Sequence, residues 1–366
     1  MTPTVRSKLK ISHNIIHDKT FVIEAVKQKQ LTTKKRNWIN LIALHLIFAV
    51  LLFLGLTLLS NGFYFTLETF SIRIWQYLLA IMGGGALGVA GLLLQKTTKN
   101  NLADVSILGI GSLNIIFITL YIFSFGTNVI SNQASIRQLL PLITIAASIL
   151  GTSIIYTLTK FGNNNVDKFI IVGIALQFLF EAVSIAILNP SVSTAPGSAI
   201  QFTINQITNF SLGKLPDINY LAQTATWRIM IIICSICIVV ILLIIWTLRK
   251  KIDLIETSEK LALSYGIRVE SLKLFLYLLI ALLAGIEAAI LGNFPLLGIL
   301  APNIAKPIFG SQTKTNLWTS FLIGAIMVMI ATFVSVNLNT DIPIGFLSTA
   351  IITPYFIFII LKRNKR

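Results

Sequence analysis

From residue 39 onward, long apolar runs alternate with short polar segments. Runs of roughly 20 apolar residues, enough to cross about 30 Å of hydrocarbon, fall near 39–60, 74–95, 105–125, 139–159, 168–188, 228–248, 272–291 and 316–336. Two shorter runs, 294–309 and 343–361, bring the expected number of spans to ten. An amphipathic segment, Ala199 to Leu215, is too polar to span and reads as re-entrant or interfacial. The last hundred residues carry breakers inside or beside apolar runs: Gly292-Asn-Phe-Pro-Leu-Leu-Gly298, Pro302-Asn-Ile-Ala-Lys306, and Asp341-Ile-Pro-Ile-Gly345 followed by Thr353-Pro354. Helices there are expected to be interrupted, kinked or closely packed, as in a polytopic bundle around a pathway.

Composition supports an integral membrane protein. Hydrophobic residues make up 55% and charged residues 11%, with mean hydropathy +0.84, whereas a soluble domain carries about 25% charge. Basic residues set the orientation. All of the 29 Lys and Arg except Arg73, Arg137, Lys214 and Arg228 fall on one side if both termini are cytoplasmic, and the positive-inside rule then gives N-in and C-in with an even number of spans. Residues 1–37 form a basic cytoplasmic extension without the apolar core of a cleaved signal. Residues 38–366 form the membrane domain. The net charge of +16 suits loops beside anionic lipid and gives no argument for nucleic acid.

Candidate chemistry is sparse. There is no Walker A glycine loop, His-Glu-x-x-His or Gly-x-Ser-x-Gly, so an enzyme is not expected, nor a cofactor or resident metal. His13 and His17 have ligand-like spacing without a third ligand nearby and read as part of a solvated tail. Cys234 and Cys237 sit in an apolar run and read as packing residues. Glu181 and Glu287 are the acids within spans. Each suits either a structural hydrogen bond or a proton pathway, so a secondary transporter coupled to protons through one of them stands as an alternative reading. Gly84, Gly88 and Gly91 bring small residues to nearly one helix face, which lets backbones approach where lipid provides no hydrophobic drive between helices.

Residues 73–366 resemble the FecCD-type permeases, the membrane subunits of ATP-binding-cassette (ABC) importers for iron-siderophores, haem and cobalamin. The resemblance rests on Arg73-Ile-Trp-Gln76, Gly83-Gly-Gly-Ala-Leu-Gly88, Gln95, Asn100-Asn-Leu-Ala-Asp-Val-Ser-Ile-Leu-Gly109, Ser211-Leu-Gly213, Ala262-Leu-Ser-Tyr-Gly-Ile267, Gly298-Ile-Leu-Ala-Pro-Asn-Ile-Ala-Lys306, Gly310 and Ile342-Pro-Ile-Gly345, in the family's order and spacing. It implies an all-α, multi-pass type II importer permease of the cell membrane that works by alternating access. The implied partners are membrane lipid, cytoplasmic ATPase subunits, an external substrate-binding lipoprotein, and a second permease subunit, identical or paralogous. The polar segment Leu254 to Gly266 corresponds to the family's ATPase-coupling segment (about 253–268), which makes Glu256, Glu259, Ala262 and Gly266 its expected contacts. Arg73 is expected either to meet the binding protein or to snorkel to the interface. Gln95, Gly298, Pro302, Asn303, Pro343 and Gly345 join the three glycines as pathway or packing residues.

The chain departs from the family pattern at several places. Asn101 and Val105 replace two prolines, Gln76 an arginine, and Asn303 and Lys306 a His and an Arg, while 326–340 lacks the charges usual in the ninth span.

Overall fold

The structure, a computed structural model, describes residues 36–57, 67–130, 133–160, 166–187, 225–292, 294, 296–337, 345, 350, 353 and 354. Every regular element among them is helical. Isoleucine-rich runs favour strands in water. In hydrocarbon, however, a lone segment satisfies all its backbone groups only by coiling into a helix.

The chain divides into two compact units, Met1–Leu46 and Ile47–Arg366. In the first, residues 36–46 are helical, with Trp38, Ile39, Ile42 and Leu46 exposed. The helices in chain order are α1 (Arg36–Thr57), α2 (Leu67–Thr98), α3 (Ile110–Ile130), α4 (Gln133–Lys160), α5 (Val166–Ile187), α6 (Ala225–Thr257), α7 (Glu259–Ser264), α8 (Val269–Leu291), α9 (Leu297–Phe309) and α10 (Thr313–Asn337). Six are long and apolar enough to cross a membrane: α1, α2 from Arg73, α4 from Pro141, α6 from Arg228, α8 and α10.

Helix α2 is the centre of the second unit. Its apolar window is 83% buried, against 28% for α6, and α8, α9 and α10 pack on it. The glycine face does what its spacing predicts. A Cβ at Gly84 would come within 2.6 Å of the Gly324 carbonyl oxygen, one at Gly88 would press on the Ser320 carbonyl, and one at Gly91 would overlap the Gly298 backbone. Backbone therefore touches backbone along one side of α2, in the small-residue manner of membrane helices. Around this seam Leu79, Leu92, Leu93, Leu276, Ile280 and Leu283 form the core. On α6, Ile232, Ile233, Ile236 and Leu243 face outward, a surface that hydrocarbon tolerates. Cys234 is buried in the core, and both it and Cys237 are free thiols.

The breakers around 292–310 interrupt the path as expected, and they also alter one expected span. Leu291 lies against Gly83 of α2, whereas Gly298 lies against Gly91 and Gln95 donates to the Ile299 carbonyl at 3.1 Å. At 1.5 Å per residue along α2, Gly83 and Gly91, against which Leu291 and Gly298 lie, are about 22 and 10 Å in from the Thr98 end. Gly292 and Leu296 turn the chain with φ of 86° and 68°, and the latter conformation is unfavourable for leucine. Run 294–309 holds one shorter helix. It is the 13-residue helix α9, about 20 Å long, which starts inside the bundle and returns to the Thr98 side. Pro302 and Pro307 lie inside it, and Pro302 has no N–H for the Gly298 carbonyl. Run 105–125 also begins differently: Val105–Leu108 form a 3-10 turn, closed by Gly109 at φ 61°, before α3 begins.

Candidate functional site

At the Thr98 end of α2, two carboxylates of α6 and one backbone carbonyl of the α9–α10 link converge on one ammonium group. Lys96 is 1% exposed. Its Nζ donates to Asp253 Oδ1 at 2.9 Å, to Glu256 Oε2, and to the Ser311 carbonyl at 2.7 Å. The three donors of a lysine thus meet three acceptors, and two of those are carboxylates that offset the loss of hydration. The acids come from α6, which runs past its apolar section into Ile252-Asp253-Leu254-Ile255-Glu256. Ile252 and Ile255 are buried, while Asp253 and Glu256, one turn apart, face α2. Asp253 also accepts from the Thr313 N–H at 2.9 Å and from its hydroxyl. It thereby caps the start of α10, where backbone donors lack intrahelical partners and the dipole favours an anion.

The next element is a tight elbow. Ser258 caps α7 by accepting from the Leu261 N–H. Gly266, at φ 75°, ends it: the Gly266 N–H donates to the Leu263 carbonyl at 2.9 Å and the Ile267 N–H to the Ala262 carbonyl at 3.0 Å. These are the two bonds of a Schellman stop, which calls for glycine at this position. Ala262 is 0% exposed and packs with Ile255 and Val269, flanked by Ile267 and Leu272. Glu259 reaches back to Lys273 at 2.8 Å and Lys99 at 3.5 Å. Burial would raise its carboxyl, but these two lysines hold it below the ordinary value. Pointing outward are Leu261, Leu263 and Tyr265, at 41%, 59% and 70% exposure.

The four residues expected to contact an ATPase therefore have different placements. Glu256 and Glu259 pair with lysines of this subunit, Ala262 is interior, and Gly266 is exposed, with open space where a Cβ would lie. The outward face of the elbow is Leu261, Leu263 and Tyr265, which sequence reading did not single out. The signal was present: a six-residue helix with apolar residues at 261, 262 and 263 has more apolar positions than one inward stripe can use.

Three of the departures from the family pattern meet in space. Asn303 Nδ2 donates to the Asn101 carbonyl at 2.8 Å, Lys306 Nζ donates to Asn101 Oδ1 at 2.8 Å, and Lys306 lies 3.7 Å from Glu256. A proline at 101 would give Lys306 no side-chain acceptor, so these replacements form one compatible set. Val105 is buried at the start of the 3-10 turn beside Asp104. Asp104 accepts from the Leu296 N–H at 3.1 Å and from the Ser106 hydroxyl, tying this loop to the α8–α9 link.

Among the remaining expected positions, Gly298 and Pro302 are buried in α9, Gln95 bonds to that helix, and Gly345 is helical and buried. Pro343, His13, His17, the 199–215 segment and the Ser211-Leu-Gly213 motif lie outside the described residues. Arg73, expected to meet the binding protein or to snorkel, lies at the α1–α2 contact. It is 6% exposed, and its Nη1 donates to the Gly55 carbonyl of α1 at 2.8 Å. Gln76, also in place of an arginine, is 3% exposed. Glu181 is exposed on α5, whereas Glu287 is 4% exposed, with no hydrogen-bond partner for Oε1 among the described residues.

A helical membrane bundle with a broken helix at its centre and a capped polar elbow at one end has the build of a transport permease. The chain belongs to the FecCD transport family, whose model matches residues 41–362, a family of transporter permeases. It is 26% identical over 302 residues to the iron(3+)-hydroxamate import system permease FhuG of Bacillus subtilis, covering 81% of this chain and 84% of that protein. It is also 26% identical over 303 residues to the hemin transport system permease HmuU of Yersinia pestis, with the same coverage. It is 24% identical over 295 residues to the vitamin B12 import system permease BtuC of Vibrio parahaemolyticus, covering 80% of this chain and 82% of that one. A solved chain described as an inward-facing metal-chelate type ABC transporter shares the fold, with TM-score 0.72 and 19% identity over 88% of this chain and 98% of its own. The protein is a multi-pass protein of the cell membrane.

Proposed function

We propose that the chain is the permease subunit of an ABC importer that carries an iron chelate, a siderophore or haem, across the cell membrane. Two copies, or one copy and a paralogue, would enclose the path, because one such subunit is half a pore. An external lipoprotein would deliver the chelate, and ATP hydrolysis by two cytoplasmic subunits would drive alternating access. The observation that carries this reading is the elbow. Its Schellman stop, interior Ala262 and paired Glu259 fix a short helix that presents Leu261, Leu263 and Tyr265 to the aqueous side. Three exposed apolar side chains carried outside the spans by one short helix are positions that a protein partner would cover.

The test is a pull-down of the importer's ATPase subunit with the permease, together with ATP-driven uptake of iron chelate into proteoliposomes. Leu263→Arg places a charge on the outward face. It is expected to leave the permease folded while reducing ATPase recovery and uptake by tenfold or more, because a desolvated contact is replaced by an unpaired charge. Unchanged recovery and uptake in this variant would move the docking surface elsewhere.

Orientation has its own test. Both termini are proposed to be cytoplasmic, from the distribution of basic residues. In a chain with Cys234 and Cys237 replaced by serine, a cysteine at Lys260 is expected to react with a membrane-impermeant maleimide only in inside-out vesicles. Labelling from outside intact cells would reverse the topology.

The alternative of proton-coupled secondary transport draws on Glu287, buried with an oxygen that has no hydrogen-bond partner among the described residues. Uptake that a protonophore abolishes, and that persists without any ATPase subunit, would favour it.

A further inference from the structure

The ammonium of Lys96 joins three parts of the chain that are distant in sequence. It belongs to α2, its carboxylate partners belong to the last turns of α6, and its third acceptor is the carbonyl of Ser311 in the α9–α10 link. Asp253, one of those partners, also holds the first residue of α10. On one side of this knot lies the elbow: Ile255 of α6 packs on Ala262 and Val269, and Glu259 pairs with Lys99 and Lys273. On the other side lies the glycine seam, where the backbone of α2 comes directly against the backbone of α9 at Gly91–Gly298 and of α10 at Gly84–Gly324. Backbone contacts of that kind leave little side-chain slack, which favours α2, α9 and α10 shifting together.

Resting on the function proposed above, we propose that Lys96 is a positioning residue that transmits displacement of the ATPase-docked elbow to the α2–α9–α10 body. An apolar pair would fill the same space and hold the fold equally well. The ion knot adds directionality, since three hydrogen bonds of fixed geometry resist sliding where a greasy contact would not. Without it, α6 and the elbow can follow the ATPase while the glycine-packed body stays where it is. Hydrolysis and transport then separate.

The experiment uses the complete importer in proteoliposomes and measures chelate uptake and phosphate release in the same preparation. Lys96→Met keeps the unbranched stem and removes the ammonium. The expected result is continued hydrolysis by the docked ATPase with uptake per ATP reduced tenfold or more, and substantial recovery of that ratio in Lys96→Arg, which restores a charged donor. Should Lys96→Met assemble poorly, Asp253→Asn serves in its place. Asp253 is one-third exposed, its amide keeps an acceptor for Thr313, and a several-fold fall in the same ratio is expected. A purely structural knot would lower hydrolysis and uptake together and leave their ratio unchanged, and that outcome overturns the inference. An unchanged ratio in both variants, in a system whose unmodified form is ATP-driven, also overturns it. If the unmodified chain imports without an ATPase, the proposed function itself fails and this inference with it.

Discussion

Replacing Gly91 with leucine is expected to abolish recovery of folded permease, whereas Cys237→Leu is expected to have no such effect. Both changes add a large side chain to a helix within the membrane. At Gly91 even the first added carbon would lie on the Gly298 backbone, which cannot rotate away as a side chain can. Overpacking against backbone costs about 3 kcal/mol or more, and here it also wedges α9 from α2 at the Gln95–Ile299 bond. Cys237 is exposed on α6, where leucine meets lipid. The measurement is monodisperse yield in detergent and the melting temperature of what survives. Similar yield and melting in the two variants would remove the claim that backbone contact organises the centre of the bundle.

The second large effect is expected at Ala262. In Ala262→Arg a guanidinium must enter a fully enclosed site between Ile255 and Val269. An unpaired buried charge costs on the order of 3 kcal/mol or more, enough to unseat a six-residue helix. Amide exchange across 252–272 is expected to accelerate sharply, with α2 and α10 still protected, and ATPase association is expected to disappear. The contrast is with Leu263→Arg, which is expected to lose association with normal exchange in the elbow. Normal protection of the elbow in Ala262→Arg would show that this alanine faces out and that the packing described for it is wrong.

Much of this was legible in the chain itself. Apolar runs of spanning length fix helices, because isolated segments in hydrocarbon have no other way to satisfy their backbone. Small-residue spacing at 84, 88 and 91 marked a close-packing face, and the partner backbones at 298, 320 and 324 are found there. Breakers between 292 and 310 signalled an interrupted helix. The Gly266 stop and the polar segment before it located the elbow, since a left-handed glycine after a helix is a local property.

Other features depend on partners distant in sequence. That Glu256 and Glu259 pair with lysines of the same chain depends on Lys96, some 160 positions from Glu256, and on Lys273. A string of residues does not show which acid lies within reach of which ammonium. That Arg73 donates to the Gly55 carbonyl is likewise not visible in sequence order. The depth of the α8–α9 link, and hence the half-length of α9, emerges only when Leu291 and Gly298 are ranked along α2. Asn101, Asn303 and Lys306 look like separate losses of pattern in one dimension and form a single bonded set in three. The sequence by itself determined the class of protein, its helices and its local stops, which depend on hydrophobicity and backbone conformation within a few residues. Which charges are neutralised within the chain and which side chains stay exposed came only from the tertiary structure, because electrostatic pairing and burial act between segments that sequence order does not bring together.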